Sequence, residues 1–208
     1  MNTDEPSLMD LAHDERADLA EFLATLTPAQ WQTESLCTGW TVKDVVAHVI
    51  SYEELRLTGL LKRFAKGRVV HANEVGVAEY SAMSTDDLLE FLNCHLRPQG
   101  LTAGFGGMIG LIDGTVHHQD IRRALGLQRT VPAQRLQRIL PLVPGNPRLG
   151  AGRRIKGLRL CANDIDWERG SGPEVVGSAE ALLLAMTGRR QAAEELTGAG
   201  AAILLGRL

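Results

Sequence analysis

The sequence predicts a mainly α protein with a small α+β tail, and three observations lead there. Through most of the first 142 residues, apolar positions recur every three or four residues, as on helices buried along one face. Prolines and glycines then crowd together, at Pro141, Pro144, Gly145, Pro147, Gly150 and Gly152. Beyond them the period changes to alternation through Ile155, Leu158, Leu160 and Ala162, which suits a strand. The expected organisation is a helical bundle over 1–142, a Pro/Gly-rich linker over 143–154 and a small C-terminal α+β unit over 155–208.

Helical spacing of Leu8, Leu11, Leu19, Phe22, Leu23 and Leu26 predicts a first helix over 7–26. Thr27, Pro28 and Gln30 form a capping-box start for a short second helix. Thr41 caps a third, with Asp44 three residues on and Trp40 placed to pack on Val45. Val42, Val45, Val46 and Val49 are poor helix formers individually, so burial must hold this helix. Residues 64–84 are polar and broken, and predict irregular structure with at most one short helix. Ser84 and Asp87 open a helix carrying Leu88, Leu89, Phe91, Leu92 and Leu96, which Pro98-Gln99-Gly100 ends.

The longest helical pattern runs from Met108 to Gly126, after the glycines at 100, 104, 106 and 107. Those glycines lack the full phosphate-loop pattern and the strand such a loop requires, so close backbone packing is the expectation. Leu136, Ile139 and Leu140 predict a helix over 132–142. In the tail, residues 164–173 read as strand end and turn, Glu174-Val-Val suggests a second strand, and Ser178 caps a helix through Thr187. Further helical stretches are expected over 190–196 and 201–208.

With 44% hydrophobic and 23% charged residues the composition is that of a globular protein, and a net charge of −3 gives nucleic-acid binding no support. No apolar run is long enough for a bilayer span. The start, Met-Asn-Thr-Asp-Glu-Pro, lacks signal-peptide features, and Cys37, Cys94 and Cys161 are odd in number and outside any CxxC pattern. A cytoplasmic protein with reduced thiols, no membrane partner, and a monomeric or homodimeric state is expected.

Chemistry concentrates on the long helix. Asp113, His117 and Asp120 fall at i, i+4 and i+7, which stacks three metal-competent side chains beside the apolar stripe. His48 is a further metal-competent residue, on the rim of the third helix's buried stripe. Plainer readings stand alongside: hydrogen-bonded core histidines, or Asp120 paired with Arg123. Cys37 precedes a helix start, where thiols acidify, but lies far from His48 in sequence; a small buried side chain beside Trp40 is the expectation.

Two stretches, Gly39-Trp-Thr-Val-Lys-Asp-Val-Val-Ala-His48 and Val116-His-His-Gln-Asp-Ile-Arg-Arg-Ala-Leu-Gly126, resemble the mycothiol-dependent maleylpyruvate isomerase family, within the DinB-like metal-binding four-helix bundles. Gly157-Leu-Arg-Leu-Cys-Ala-Asn-Asp-Ile-Asp-Trp167 and Glu180-Ala-Leu-Leu-Leu-Ala-Met-Thr-Gly188 extend the resemblance into the tail. The resemblance implies a divalent metal, usually zinc, bound by His48, Asp113 and His117, with mycothiol as thiol cosubstrate. The family's acid is commonly Glu, so Asp113 is one methylene short, and His118 or Asp120 are the substitutes. His118 lies about 100° round the helix from His117, so the two cannot readily share an ion. Asp120 is expected to orient a histidine by accepting from it. The implied activity is a transferase or isomerase that adds a metal-stabilised thiolate to a small electrophilic substrate. The rivals are a non-catalytic metal-binding or stress-response protein, and a metal-dependent hydrolase on the same bundle.

Overall fold

The computed structural model describes residues 5–67 and 71–208. The first four residues, part of the stretch read for a signal peptide, lie outside the described residues, as do 68–70 within the stretch expected to be irregular. Contacts divide the chain into two compact units, Met1–Arg129 and Thr130–Leu208.

The first unit is a four-helix bundle. Its long helices are α1 (Leu8–Leu23), α3 (Val42–Ile50), α6 (Thr85–Cys94) and α7 (Met108–Ala124), with a short α2 (Pro28–Trp31) before α3. Helices α1 and α3 each pack on both α6 and α7. Leu19 and Leu23 of α1, the α3 valines, Leu88 and Leu92 of α6, and Ile121 of α7 meet in one core. Burial of all four valines supplies what propensity withholds, about 1.5–3 kcal/mol for each such side chain.

Capping boxes at Ser7, Thr27, Thr41 and Ser84 start α1, α2, α3 and α6, each pairing the cap hydroxyl with an acid or glutamine three residues on. Helix α5 (Ala72–Tyr80) is the one short helix allowed for within residues 64–84, and α4 (Leu57–Lys66), outside the helices expected from the sequence, reaches only three residues into that stretch. Tertiary contacts hold the two. Arg63 of α4 is buried, donating to the Ser51 carbonyl at 2.7 Å and to Glu79 of α5, with its guanidinium over the Tyr52 ring. Helix α5 itself carries little hydrophobic periodicity, whereas α4 is strongly amphipathic.

The glycines before α7 serve close packing. A Cβ on Gly107, at φ +94°, would stand 2.6 Å from the Met9 Cα; one on Gly110 would meet Pro98 at 2.9 Å. Thus α7 enters the bundle against α1.

The second unit contains α8 (Ala133–Ile139), α9 (Ala151–Arg154), α10 (Ala179–Met186), α11 (Arg190–Ala193) and α12 (Ala201–Leu205). Its sheet has the order β2-β1-β3, from β1 (Arg159–Ala162), β2 (Glu168–Gly170) and β3 (Glu174–Gly177). β1 pairs antiparallel with β2 and parallel with β3, Leu160 facing Arg169 and Val175. The third strand was not expected: β2 is exposed and falls in what reads as a turn. Gly172, at φ +123°, lets the chain pass the Gly157 carbonyl, where a Cβ would sit 2.3 Å from the oxygen. Two 3-10 turns, Val143–Gly145 and Pro147–Leu149, and α9 occupy most of the stretch expected as linker. The contact boundary precedes residue 142, and α8 belongs to the second unit.

Candidate metal centre

The bundle brings His48, Asp113 and His117 together. One ligand-capable atom from each lies within 4.8 Å of the others. His48 Nε2 and His117 Nε2 each stand 3.5 Å from the same Asp113 oxygen. His48 is fixed at the C-terminal end of α3, where valine burial sets the face it presents. Its ring lies 5.2 Å from that of Trp40, 6.2 Å from Tyr52 edge-on and 4.8 Å from His117 edge-on. Asp113 and His117 are one turn apart on α7, so the pair is local and only His48 needs the tertiary fold.

Exposure differs across the three. The His48 and His117 side chains retain 6% and 12%, while Asp113 retains 29%, so the cluster opens to solvent on the carboxylate side. His117 is oriented from behind: its Nδ1 lies 3.0 Å from Oδ2 of fully buried Asp120. The same oxygen accepts from the Cys37 thiol at 3.2 Å, and Cys37 Sγ is 3.5 Å from His117 Nδ1. The loop carrying Cys37 is tied to α7 by the Leu36 N–H, which donates to the Asp120 carbonyl.

Charge and burial oppose each other here. Burial would raise the Asp113 carboxyl, but the charges of His117 and then His48 hold it well below the usual carboxylate range. Burial would lower His117; the Asp113 charge, then hydrogen bonds that the ring shares with Asp113, Asp120 and Cys37, hold it well above the usual imidazole range. His117 lies between two carboxylates, Asp113 at Nε2 and Asp120 at Nδ1, both of which favour its protonated form. Two imidazoles and a carboxylate, with an acceptor that leaves Nε2 facing its partners, suit a divalent cation in place of that proton. His48 Nδ1 is buried without a hydrogen-bond partner among the described residues, a cost of about 1–3 kcal/mol that packing elsewhere must offset.

His118 goes to another network. It is fully buried, its Nδ1 2.9 Å from Glu15 Oε1, while Arg122 Nε donates to Nε2 at 2.8 Å. An imidazole accepting at Nε2 carries its proton on Nδ1, so His118 is a neutral donor to Glu15. Burial lowers it to about 4, against the Glu15 hydrogen bond that raises it. Arg129 also donates to Glu15 and, at 3.0 Å, to Gln119.

Cys37 is the functional neighbour that sequence reasoning missed. Distance from His48 along the chain argued against a base beside it, yet His117 arrives from α7, 80 residues on. Its position just before the Thr41 cap was the available signal. Trp40 is partly buried and lies against the His48 ring.

Residues 12–96 match the family model described as the mycothiol maleylpyruvate isomerase N-terminal domain. Over 93% of its length the chain has the fold of a crystal structure of the mycothiol-dependent maleylpyruvate isomerase, covering 92% of that chain, with TM-score 0.56 and 14% identity. A histidine-to-alanine mutant of a mycothiol-dependent maleylpyruvate isomerase matches equally, with TM-score 0.56, 15% identity and the same coverages. Among curated proteins nothing matches. Among the described residues no helix is long and apolar enough to cross a membrane.

Proposed function

We propose that this chain, which resembles the mycothiol-dependent maleylpyruvate isomerases in its first helices and in its fold, is a metal- and mycothiol-dependent transferase or isomerase of a small electrophile. The observation that carries this reading is the convergence of His48, Asp113 and His117 from two helices onto one point. Bound there, a divalent ion such as zinc would supply an open coordination position at which the cosubstrate thiol is acidified to a thiolate.

The chain's own residues supply the rest. Asp120 accepts from His117 Nδ1 and so keeps Nε2 turned toward Asp113 and His48. Cys37 donates to the same Asp120 oxygen, fixing that carboxylate in turn. The rings of Trp40 and Tyr52 flank His48 and keep water from its buried side, which strengthens the electrostatics of the cluster. Asp113 marks the open side, where thiol and electrophile would meet. As the carbon–sulfur bond forms, the electrophile's π bond opens and its electron pair moves onto the activating group. An isomerase re-forms the double bond and expels the thiolate after bond rotation, whereas a transferase lets the adduct take a proton from solvent and keeps the conjugate.

Metal analysis of freshly purified protein, followed by assays of an electrophile with and without mycothiol, tests the reading. Stoichiometric divalent metal and thiol-dependent turnover are expected. Turnover that ignores the thiol would replace the proposal with a hydrolase. Protein unable to take up metal would leave a non-catalytic member of the fold.

A further inference from the structure

The second unit holds a charged cavity that the metal centre does not use. Arg153, Arg154, Lys156 and Arg207 line a space of about 400 Å³, and no carboxylate lines it. Elsewhere in this unit Arg159 reaches Glu168 at 2.7 Å and Glu174 at 2.9 Å, and Arg190 reaches Glu194 at 3.5 Å. Among the described residues, none of the four lining cations has a carboxylate partner.

Two of the four are held in place by backbone. Arg154 donates through Nη1 to the Leu149 carbonyl and, at 3.0 Å, to that of Met186. Gly150 at φ +66° and Gly188 at φ +103° flank its guanidinium, where a Cβ would approach its nitrogens to 3.2 Å. Arg207 donates through Nη1 to the carbonyls of Arg154 at 2.5 Å and Lys156 at 2.9 Å. Carbonyls orient these guanidiniums but do not neutralise them. Burial first, then the charges of Arg153 and Arg189, keep the Arg154 guanidinium below the usual arginine range, as expected of like charges gathered without a counter-ion.

We propose that this cavity binds a small multivalent phosphate-bearing anion. Guanidinium forks match phosphate oxygens two at a time, and an ammonium adds a point charge. The volume falls within the roughly 300–1,000 Å³ of small-molecule sites. The four cations surround a space of about 400 Å³, and a chain of net charge −3 gives nucleic acid no overall attraction, so the ligand we propose is small. The site is independent of the metal centre, and its test is too.

The experiment is calorimetric titration of the full chain with pyrophosphate, inorganic phosphate and citrate at constant ionic strength. Pyrophosphate should bind saturably at one site, and more tightly than citrate. The double variant Arg153→Ala, Lys156→Ala should weaken it by about tenfold or more, the effect of losing about 1.4 kcal/mol of charge-assisted contact. Both side chains are exposed and anchor nothing, so circular dichroism should be unchanged. His117→Ala should bind pyrophosphate as the parent does, which separates this site from the metal reading. Absence of saturable binding, an undiminished affinity in the double variant, or citrate binding as tightly as pyrophosphate would each overturn the proposal. So would a single-stranded oligonucleotide that binds tightly and that pyrophosphate does not displace.

Discussion

Replacing His118 by alanine should unfold the bundle more readily while sparing metal uptake, whereas His117→Ala should do the reverse. His118 is wholly buried, stacks on Phe22 at 5.5 Å, and links Glu15 to Arg122 through both ring nitrogens. Its removal deletes two hydrogen bonds to charged groups, about 1.5–3 kcal/mol each at most. Glu15 keeps Arg129 and Arg122 can reach solvent, so part of that is recovered. Loss of the ring adds a cavity, and the total should be about 3–5 kcal/mol. Urea unfolding followed by helix dichroism reads the first effect, and zinc competition titration reads the second. The parent's stability should also fall with acid. His118 titrates at about 4 when folded, against an ordinary 6.5. Its depressed value means that its contribution is complete above about 6.5 and lost as pH falls through about 4. The gap corresponds to about 3 kcal/mol, at about 1.36 kcal/mol per pH unit. That slope should vanish in His118→Ala. A greater loss of zinc affinity in His118→Ala than in His117→Ala would refute the assignment of the two rings.

Asp120→Ala should weaken zinc by about 10–100-fold, the range for removing an acceptor behind a ligand histidine; a change below about twofold would show that Asp120 does not orient His117. Zinc binding should release a proton, because the raised His117 value keeps its imidazolium populated above the usual histidine range. Affinity should therefore climb with pH through neutrality, and calorimetry in buffers of different ionisation enthalpy counts the proton; a flat pH profile contradicts the ion pair. Glu53→Gln should cost about 3–5 kcal/mol by leaving Arg16 buried without its charge partner. Glu53 accepts from Arg16 at 2.6 Å, from the Gln99 N–H at 2.7 Å and from Thr102. Urea midpoints of the parent and variant check this, and equal midpoints would mean that the backbone and hydroxyl contacts hold the site unaided.

The amino-acid sequence alone determined the helices whose signals are local. A hydroxyl at the cap with an acid or glutamine three residues on set the starts of α2, α3 and α6, because a capping box closes within one turn. The spacing of Asp113 and His117 placed both side chains on one face for the same reason. Only the tertiary structure decided what those faces meet. Helix α5, which has little hydrophobic periodicity of its own, is tied through Glu79 to buried Arg63 of α4, an interaction that a periodic pattern does not record. Strand β2 is exposed throughout, and pairing with β1 makes it a strand where its residues read as a turn. At the centre, His48 joins Asp113 and His117, and Cys37 reaches Asp120 across 83 residues, because α3 and the loop before it pack against α7. Local hydrogen-bond rings and the helical repeat are written into adjacent residues. Contacts between helices depend on how buried faces stack, and one sequence position carries no record of its distant neighbour.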